Sequence, residues 1–247
     1  MYLAQKVWLY NRLLFCLLTL IFFMFFGYSV ALSNEPDPRY ILNKVQEKYD
    51  GIEDYSTTMK VEVDIPNFRI PQKEIRIYYK KPDKLSMKTS GFAILPRWGV
   101  LPLPSDFLKE GAKLEYNCRE RIGGVSYHVV DVISVEKKQP EVDITIWVNS
   151  KRWTIDKVVS SNRAGKFEMR FSYVKIDNFW LPDTTILEIN FAKGVPEMRR
   201  PSMRGSFERD LRDNITKEGN INGRVVVAFS NFLVNIGLDD TLFEGKK

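Results

Sequence analysis

Histidine is almost absent from this chain: His128 is the only one, and cysteine is limited to Cys16 and Cys118. One histidine and two cysteines do not make a usual tetrahedral zinc site. Any Ser-His-Asp set would have to use His128. Ser126 lies two residues before it, which on a strand puts both on one face rather than at a strand-to-helix elbow, and the local string GVSYH is not a GxSxG motif. No Walker motif occurs, and Gly123-Gly124 reads as a turn rather than a phosphate cradle. Carboxylates are plentiful, but no pair stands out as the acid and base of a glycosidase. These absences predict a protein that is not an enzyme and that uses no metal or cofactor.

Charge is absent from Leu13 to Leu32, and no acidic residue precedes Glu35. Lys6 and Arg12 come just before the run, and Ser29-Val30-Ala31 follows its most apolar part. That is the layout of an export signal, cleaved after Ala31. The alternative is an uncleaved anchor, because a helix of this length reaches roughly 30 Å, enough to span a bilayer. Removal of residues 1–31 leaves Cys118 as the last cysteine, so no intramolecular disulfide forms, and Cys118 is expected to be a buried, inert thiol. The remainder, 32–247, has the size of a single domain that buries a core without staples. Its mild basic excess suits an anionic membrane surface better than nucleic acid. Arg199, Arg200, Arg204, Arg209 and Arg212 are concentrated in 193–224, a charged stretch with prolines, glycines and little periodicity, read as an inserted loop. Asn214-Ile215-Thr216 matches a glycosylation sequon that is common by chance.

What is present is alternation. Asp37 and Pro38 open a helix whose Ile41, Leu42, Val45 and Tyr49 share one face, and Asp50-Gly51 ends it. Period two then takes over. Met59, Val61 and Val63 share one face of a strand over 57–65, and Ile75, Ile77 and Tyr79 one face of a strand over 74–81. Phe167, Met169, Phe171 and Tyr173 line another face, and Leu187, Ile189 and Phe191 a fourth. Further strands are expected at 85–89, 113–121, 126–135, 142–148, 153–160 and 225–234, with a hairpin at Gly123-Gly124, a turn at Asn149 to Arg152, and the strand 184–191 starting after Leu181-Pro182-Asp183. An apolar, Pro-rich loop covers 91–104, and a short helix follows over 105–109. About ten strands behind one helix predict α+β: a curved antiparallel sheet forming an incomplete β-barrel, capped by the N-terminal helix and the apolar loop. One helix is little cover for so many strands, which leaves room for a ligand.

Several strings, in this order, resemble a known family. YILNKVQEKYDGIEDYSTTMKVE, IYYKKPDKLSM, ITIWVNSKRWTIDKV, FSYVKIDNFWLPDTTIL and VVVAFSNFLVNIGLDDTLF are similar to elements of the periplasmic outer-membrane lipoprotein-sorting proteins, the lipoprotein-carrier family of the Lol pathway. The resemblance implies an incomplete barrel with a helical lid around a hydrophobic cavity. It also implies a periplasmic, monomeric chaperone that binds lipid or lipoprotein acyl chains and exchanges them with a membrane-protein donor or acceptor. The implied cavity residues are Met59, Val61, Val63, Ile75, Ile77, Tyr79, Phe167, Met169, Phe171, Leu187, Ile189 and Phe191. The implied lid is Ile41, Val45 and Tyr49. In the carriers an arginine before a proline ties lid to barrel; the matching position is Lys81, which lacks the planar fork. By strand parity Lys81 would point inward with Tyr79. The alternative function is a lipid-sensing regulatory module of the cell envelope that controls a partner protein.

Overall fold

The computed structural model describes residues 35–66, 73–88, 100–108, 111–133, 143–162, 165–191 and 221–244. The expected leader 1–31, most of the apolar loop 91–104 and most of the insert 193–224, with its sequon, lie outside these residues. Pro36–Lys247 form a compact unit. Among the described residues no helix is long and apolar enough to cross a membrane.

Helix α1 spans Pro38–Glu47. The Asp37 carboxylate accepts from the Arg39 backbone N–H at 2.8 Å, and Pro38 occupies the first turn, where no donor is needed. The strands follow: β1 (Asp54–Asp64), β2 (Lys73–Lys80) and β3 (Lys84–Lys88), then a one-turn helix α2 (Pro104–Phe107). After it come β4 (Lys113–Ile122), β5 (Val125–Ile133), β6 (Asp143–Asn149), β7 (Ile155–Asn162), β8 (Gly165–Ile176), β9 (Phe179–Phe191) and β10 (Ile221–Val234). All ten pair antiparallel in one sheet of order β3-β2-β1-β10-β9-β8-β7-β6-β5-β4. Strand β10 returns beside β1, and among the described residues β3 and β4 form the two edges of the sheet. The result is an open, barrel-like sheet, as the alternation predicts.

Several boundaries differ from expectation, three of them for reasons the pairing shows. Strand β9 starts at Phe179 rather than Thr184 and so includes Leu181-Pro182-Asp183; the reversal occurs at Asp177 (φ 51°). Pro182 is tolerated because it faces Tyr173 at a register shift, where the ladder is already interrupted. The inserted stretch ends at Ile221 rather than Arg224, because β10 begins four residues early, with Asn222, Gly223 and Arg224 paired to Asn190, Ile189 and Glu188. Trp153 lies in the β6–β7 turn with φ 57°, so β7 starts at Ile155.

Side chains that alternate inward meet across the sheet. Val63 faces Val225, Val225 faces Leu187, Leu187 faces Met169, Met169 faces Val158, Val158 faces Ile146, and Ile146 faces Val130. One apolar row therefore crosses seven strands without a charged residue. Gly223 sits inward beside Ile189, and a Cβ there would come within 2.7 Å of Ile65 Cγ1; the missing side chain lets Ile65 lie over the sheet.

Candidate functional site

Helix α1 covers part of this concave face, touching β4, β6 and α2. Ile41 and Val45 are fully buried, and Leu42 and Tyr49 nearly so. The sheet residues brought together beneath are the ones named from alternation. Met59, Ile75, Ile77, Met169, Phe171, Leu187 and Ile189 are buried, and Val61, Val63, Tyr79 and Phe167 pack half-buried against them. Phe191 takes part through its backbone, paired with Gly165 and Ile221. Tyr79 stacks on Tyr55 with ring centres 5.0 Å apart.

Equivalent inner residues on five more strands were not singled out by sequence: Val130 and Val132, Ile144 and Ile146, Val158, Val225 and Val227, and Leu85 and Met87. Their signal was the same alternation, in LSM, HVVDVI and ITIWV. Leu85 and Met87 differ from the rest. They lie opposite Tyr79 and Ile77, so they belong to the inner face, yet they are 44% and 41% exposed whereas Ile75 and Ile77 are 2% exposed. The apolar face thus runs out to solvent at the β3 edge.

The turn beside α1 is fixed by polar and aromatic contacts. In the β6–β7 turn, Asn149 Oδ1 accepts from the backbone N–H of Lys151 and of Arg152, both at 3.1 Å. This turn places Trp153 against Tyr40 of α1, edge-on at 6.3 Å, and in a parallel stack on His128 at 5.6 Å. Burial and the nearby Arg119 hold the His128 pKa below its ordinary value, so the ring is neutral at pH 7 and acts as packing. Arg152 donates to Asp156 at 2.7 Å and lies over the rings of Tyr173 and Trp180. Asp156 also accepts from Asn149 and Thr154. The Tyr173 hydroxyl donates to the Ile155 carbonyl. Burial drives the pKa values of Tyr49 and Tyr173 upward, so both hydroxyls stay neutral.

Lys81 does not continue the inward alternation, because β2 stops at Lys80. Its ammonium instead donates to the Asp50 carbonyl, in the segment leaving α1, and to Glu53 at 3.1 Å. Lys81 thus ties the end of β2 to the segment between α1 and β1, from the surface and with a third of its side chain exposed. Beside it the C-terminal segment folds back. The buried Asp54 carboxylate accepts backbone N–H groups of Ile236, Gly237 and Leu238 at 2.9, 2.9 and 3.2 Å. Asn235 Oδ1 accepts from Glu53 N at 2.7 Å and its Nδ2 donates to the Gly51 carbonyl at 2.8 Å. Lys80 donates to the Leu238 carbonyl and to Asp240, which Lys84 also pairs.

Cys118 corrects its expectation in part. It is exposed, on the outer side of the edge strand β4 next to a register shift. Its pKa is nevertheless raised, by partial burial and by the carboxylates of Glu120 and Asp131, which disfavours the thiolate. A groove of about 540 Å³ lies at the end of β1, β8, β9 and β10, lined by Asp64, Glu168, Glu188, Ile189, Asn222 and Arg224 among others. Burial opposes the charge of Glu168, but Lys166, Lys157 and Arg170 outweigh it and hold its pKa below the usual range. The lining of the groove is mixed: charged and amide side chains on one side, with Ile189 and Gly223 of the inner face also reaching it. Among the described residues no group of three or more His, Cys, Asp or Glu is placed to hold a metal.

No protein-family model matches the chain, and no curated protein matches it. Solved structures do. One is described as an outer membrane lipoprotein-sorting protein domain from Vibrio parahaemolyticus; it is 13% identical, with 83% of this chain and 94% of that one covered and a TM-score of 0.52. A DUF1329 family protein from Desulfovibrio piger is 13% identical over 85% and 98% of the two chains, with a TM-score of 0.54. A LolA superfamily protein from Nitrosomonas europaea is also 13% identical, over 85% and 98%, with a TM-score of 0.47. The chain shares the fold of the first two along nearly their whole length. That fold, an open barrel behind an N-terminal helix, is the one the sequence resemblance implies.

Proposed function

We propose that this protein binds the acyl chains of a lipid or lipoprotein between the concave face and helix α1, as an exported carrier in the periplasm. The observation that carries the reading is the apolar inner face itself. It spans the sheet without a charge on its central row, is covered among the described residues by helix α1 together with Val100, Leu101 and Phe107, and emerges to solvent at Leu85 and Met87. A closed core needs no such edge.

The energetics suit exchange rather than permanent capture. Burying Ile41, Leu42, Val45 and Tyr49 contributes roughly 1.5–3 kcal/mol each, so lid docking is worth on the order of 6–12 kcal/mol gross. A sixteen-carbon chain moved out of water gains about 12 kcal/mol gross, from which ordering costs are subtracted. The two are comparable, so a chain that displaces the helix is held and can still be released. The residues that set the lid's resting position are Trp153 and Tyr173 beneath it and Lys81 at its exit. In this reading binding, not catalysis, is the activity: His128 is neutral and stacked, and Asp156 is occupied by Arg152, Asn149 and Thr154.

Purified protein should therefore carry acyl lipid, seen in native mass spectrometry as bound mass that organic extraction removes and added lipid restores. Protein that is free of lipid and gains no thermal stability from added fatty acid or lipoprotein would overturn the proposal.

A further inference from the structure

The β4–β5 hairpin ends in an apolar tip. Ile122 and Val125 are 44% and 37% exposed, and they flank Gly123 (φ 54°) and Gly124 (φ 84°). Two positive φ values in a two-residue loop make a type I′ turn, which fits the twist of the strands and asks nothing apolar of the flanking residues. No atom lies within 4 Å of where a Cβ on either glycine would be, so the tip projects into open space. Packing does not explain its hydrophobic character.

The surroundings are basic. Arg119 and Arg121, both exposed, lie on the same strand opposite His128 and Ser126. The Ser150 N–H donates to the Ser126 carbonyl at 3.0 Å, which brings the β6–β7 turn and its exposed Lys151 beside the tip. The same turn presents Trp153, which is stacked on His128 and meets Tyr40 edge-on. Tyr40 is 52% exposed, with the Lys44 ammonium 5.5 Å from its ring centre. The acidic groups nearby are engaged: Glu120 accepts from Trp147 Nε1 at 2.6 Å, Asp156 is held by Arg152, and Glu47 pairs with Lys44.

We propose that this end of the protein docks on an anionic phospholipid surface, with Ile122 and Val125 inserted among the headgroups, Arg119, Arg121 and Lys151 against the phosphates, and Tyr40 at the interface. An apolar tip within a collar of Lys and Arg, next to a half-exposed aromatic, is the composition that partitions into the interfacial layer of a bilayer. Charge complementarity selects anionic lipid and makes docking salt-sensitive. The surface adjoins α1, so docking would bring the lid to the membrane. The inference does not depend on acyl binding; a protein with an empty inner face could dock in the same way.

Sedimentation with vesicles, using the compact unit 36–247, tests it. The protein should bind phosphatidylglycerol-containing vesicles and not pure phosphatidylcholine vesicles. Binding should fall about ten-fold or more in the double variant Ile122→Ser/Val125→Ser, and similarly in Arg119→Glu/Arg121→Glu. Both pairs are exposed, and an unchanged melting temperature would establish that each variant is folded. A second readout needs no loss of function: an environment-sensitive dye on Val125→Cys, in a Cys118→Ser background, should shift to the blue on anionic vesicles, whereas the same dye on Ser86→Cys should not. Wild-type protein that ignores anionic vesicles, variants that bind as well as wild type, or a tip dye that stays in water would overturn the proposal.

Discussion

Replacing Asp54 with alanine should lower the unfolding free energy by roughly 3–6 kcal/mol, because three backbone N–H groups lose their acceptor at about 1–3 kcal/mol for each one left unsatisfied, less whatever water recovers. Asp54 is only 4% exposed, and its carboxylate accepts from Ile236, Gly237 and Leu238. The Asp54 carbonyl also accepts from Asn235 N, so the start of β1 and the C-terminal segment hold each other through both backbone and side chain. Loss of the carboxylate should free the tail, and with it the acceptors of Lys80 at Leu238 and Asp240. Asp54→Asn, which keeps one acceptor oxygen and loses the charge, should fall between wild type and alanine. Urea unfolding followed by tryptophan fluorescence measures the change. A loss below about 1 kcal/mol for alanine would mean that the tail is held by other contacts.

Substituting Val45 with aspartate should detach the lid. Val45 is fully buried on the inner side of α1, so the new carboxylate would have no partner in an apolar site. The expected loss of stability is about 3–5 kcal/mol, the range seen when a buried charge is left uncompensated. The sharper expectation concerns exposure: with α1 displaced, the concave face opens and a hydrophobic dye such as anilinonaphthalene sulfonate should bind more strongly than to wild type. Lys44→Ala provides the control. Lys44 lies on the same helix outside the inner face, pairing with Glu47 at the surface and lying over the Tyr40 ring, so its removal should leave stability close to wild type and dye binding unchanged. If Val45→Asp were as stable as wild type and bound no more dye, the helix would not be the cover of this face.

Much of the architecture is legible because period two and period 3.6 are both printed strongly in this chain. Val61 and Val63, Ile75 and Ile77, and Leu187 and Ile189 announce their common face by alternation alone, and Ile41, Leu42 and Val45 announce the helix. What remained hidden depends on partners distant in sequence. Asp54 meets its three donors more than 180 residues away, and nothing local marks it among other carboxylates. Pro182 looks like the residue before a strand until its register with Tyr173 shows the interruption that accommodates it. Trp153 looks like a strand residue until Asn149 is seen to tighten the turn around Lys151 and Arg152. Lys81 follows the parity of β2 by position, but the strand ends one residue earlier, so its ammonium is free to reach Asp50. Leu85 and Met87 carry the right pattern; the sheet order shows that β3 is an edge of the described sheet, where both side chains stay exposed.

The central claim is that acyl chains occupy the inner face beneath α1. A fatty acid with a photoactivatable group near its methyl end reports this directly when the cross-linked peptides are mapped by mass spectrometry. The account predicts labelling concentrated on inner residues of β1, β2, β8 and β9, such as Met59, Ile77, Met169 and Leu187, and on Leu42 or Val45 of the lid, with excess unlabelled fatty acid suppressing it. Labelling confined to outer-face residues such as Glu188 and Arg224, or labelling that unlabelled fatty acid does not suppress, would contradict it.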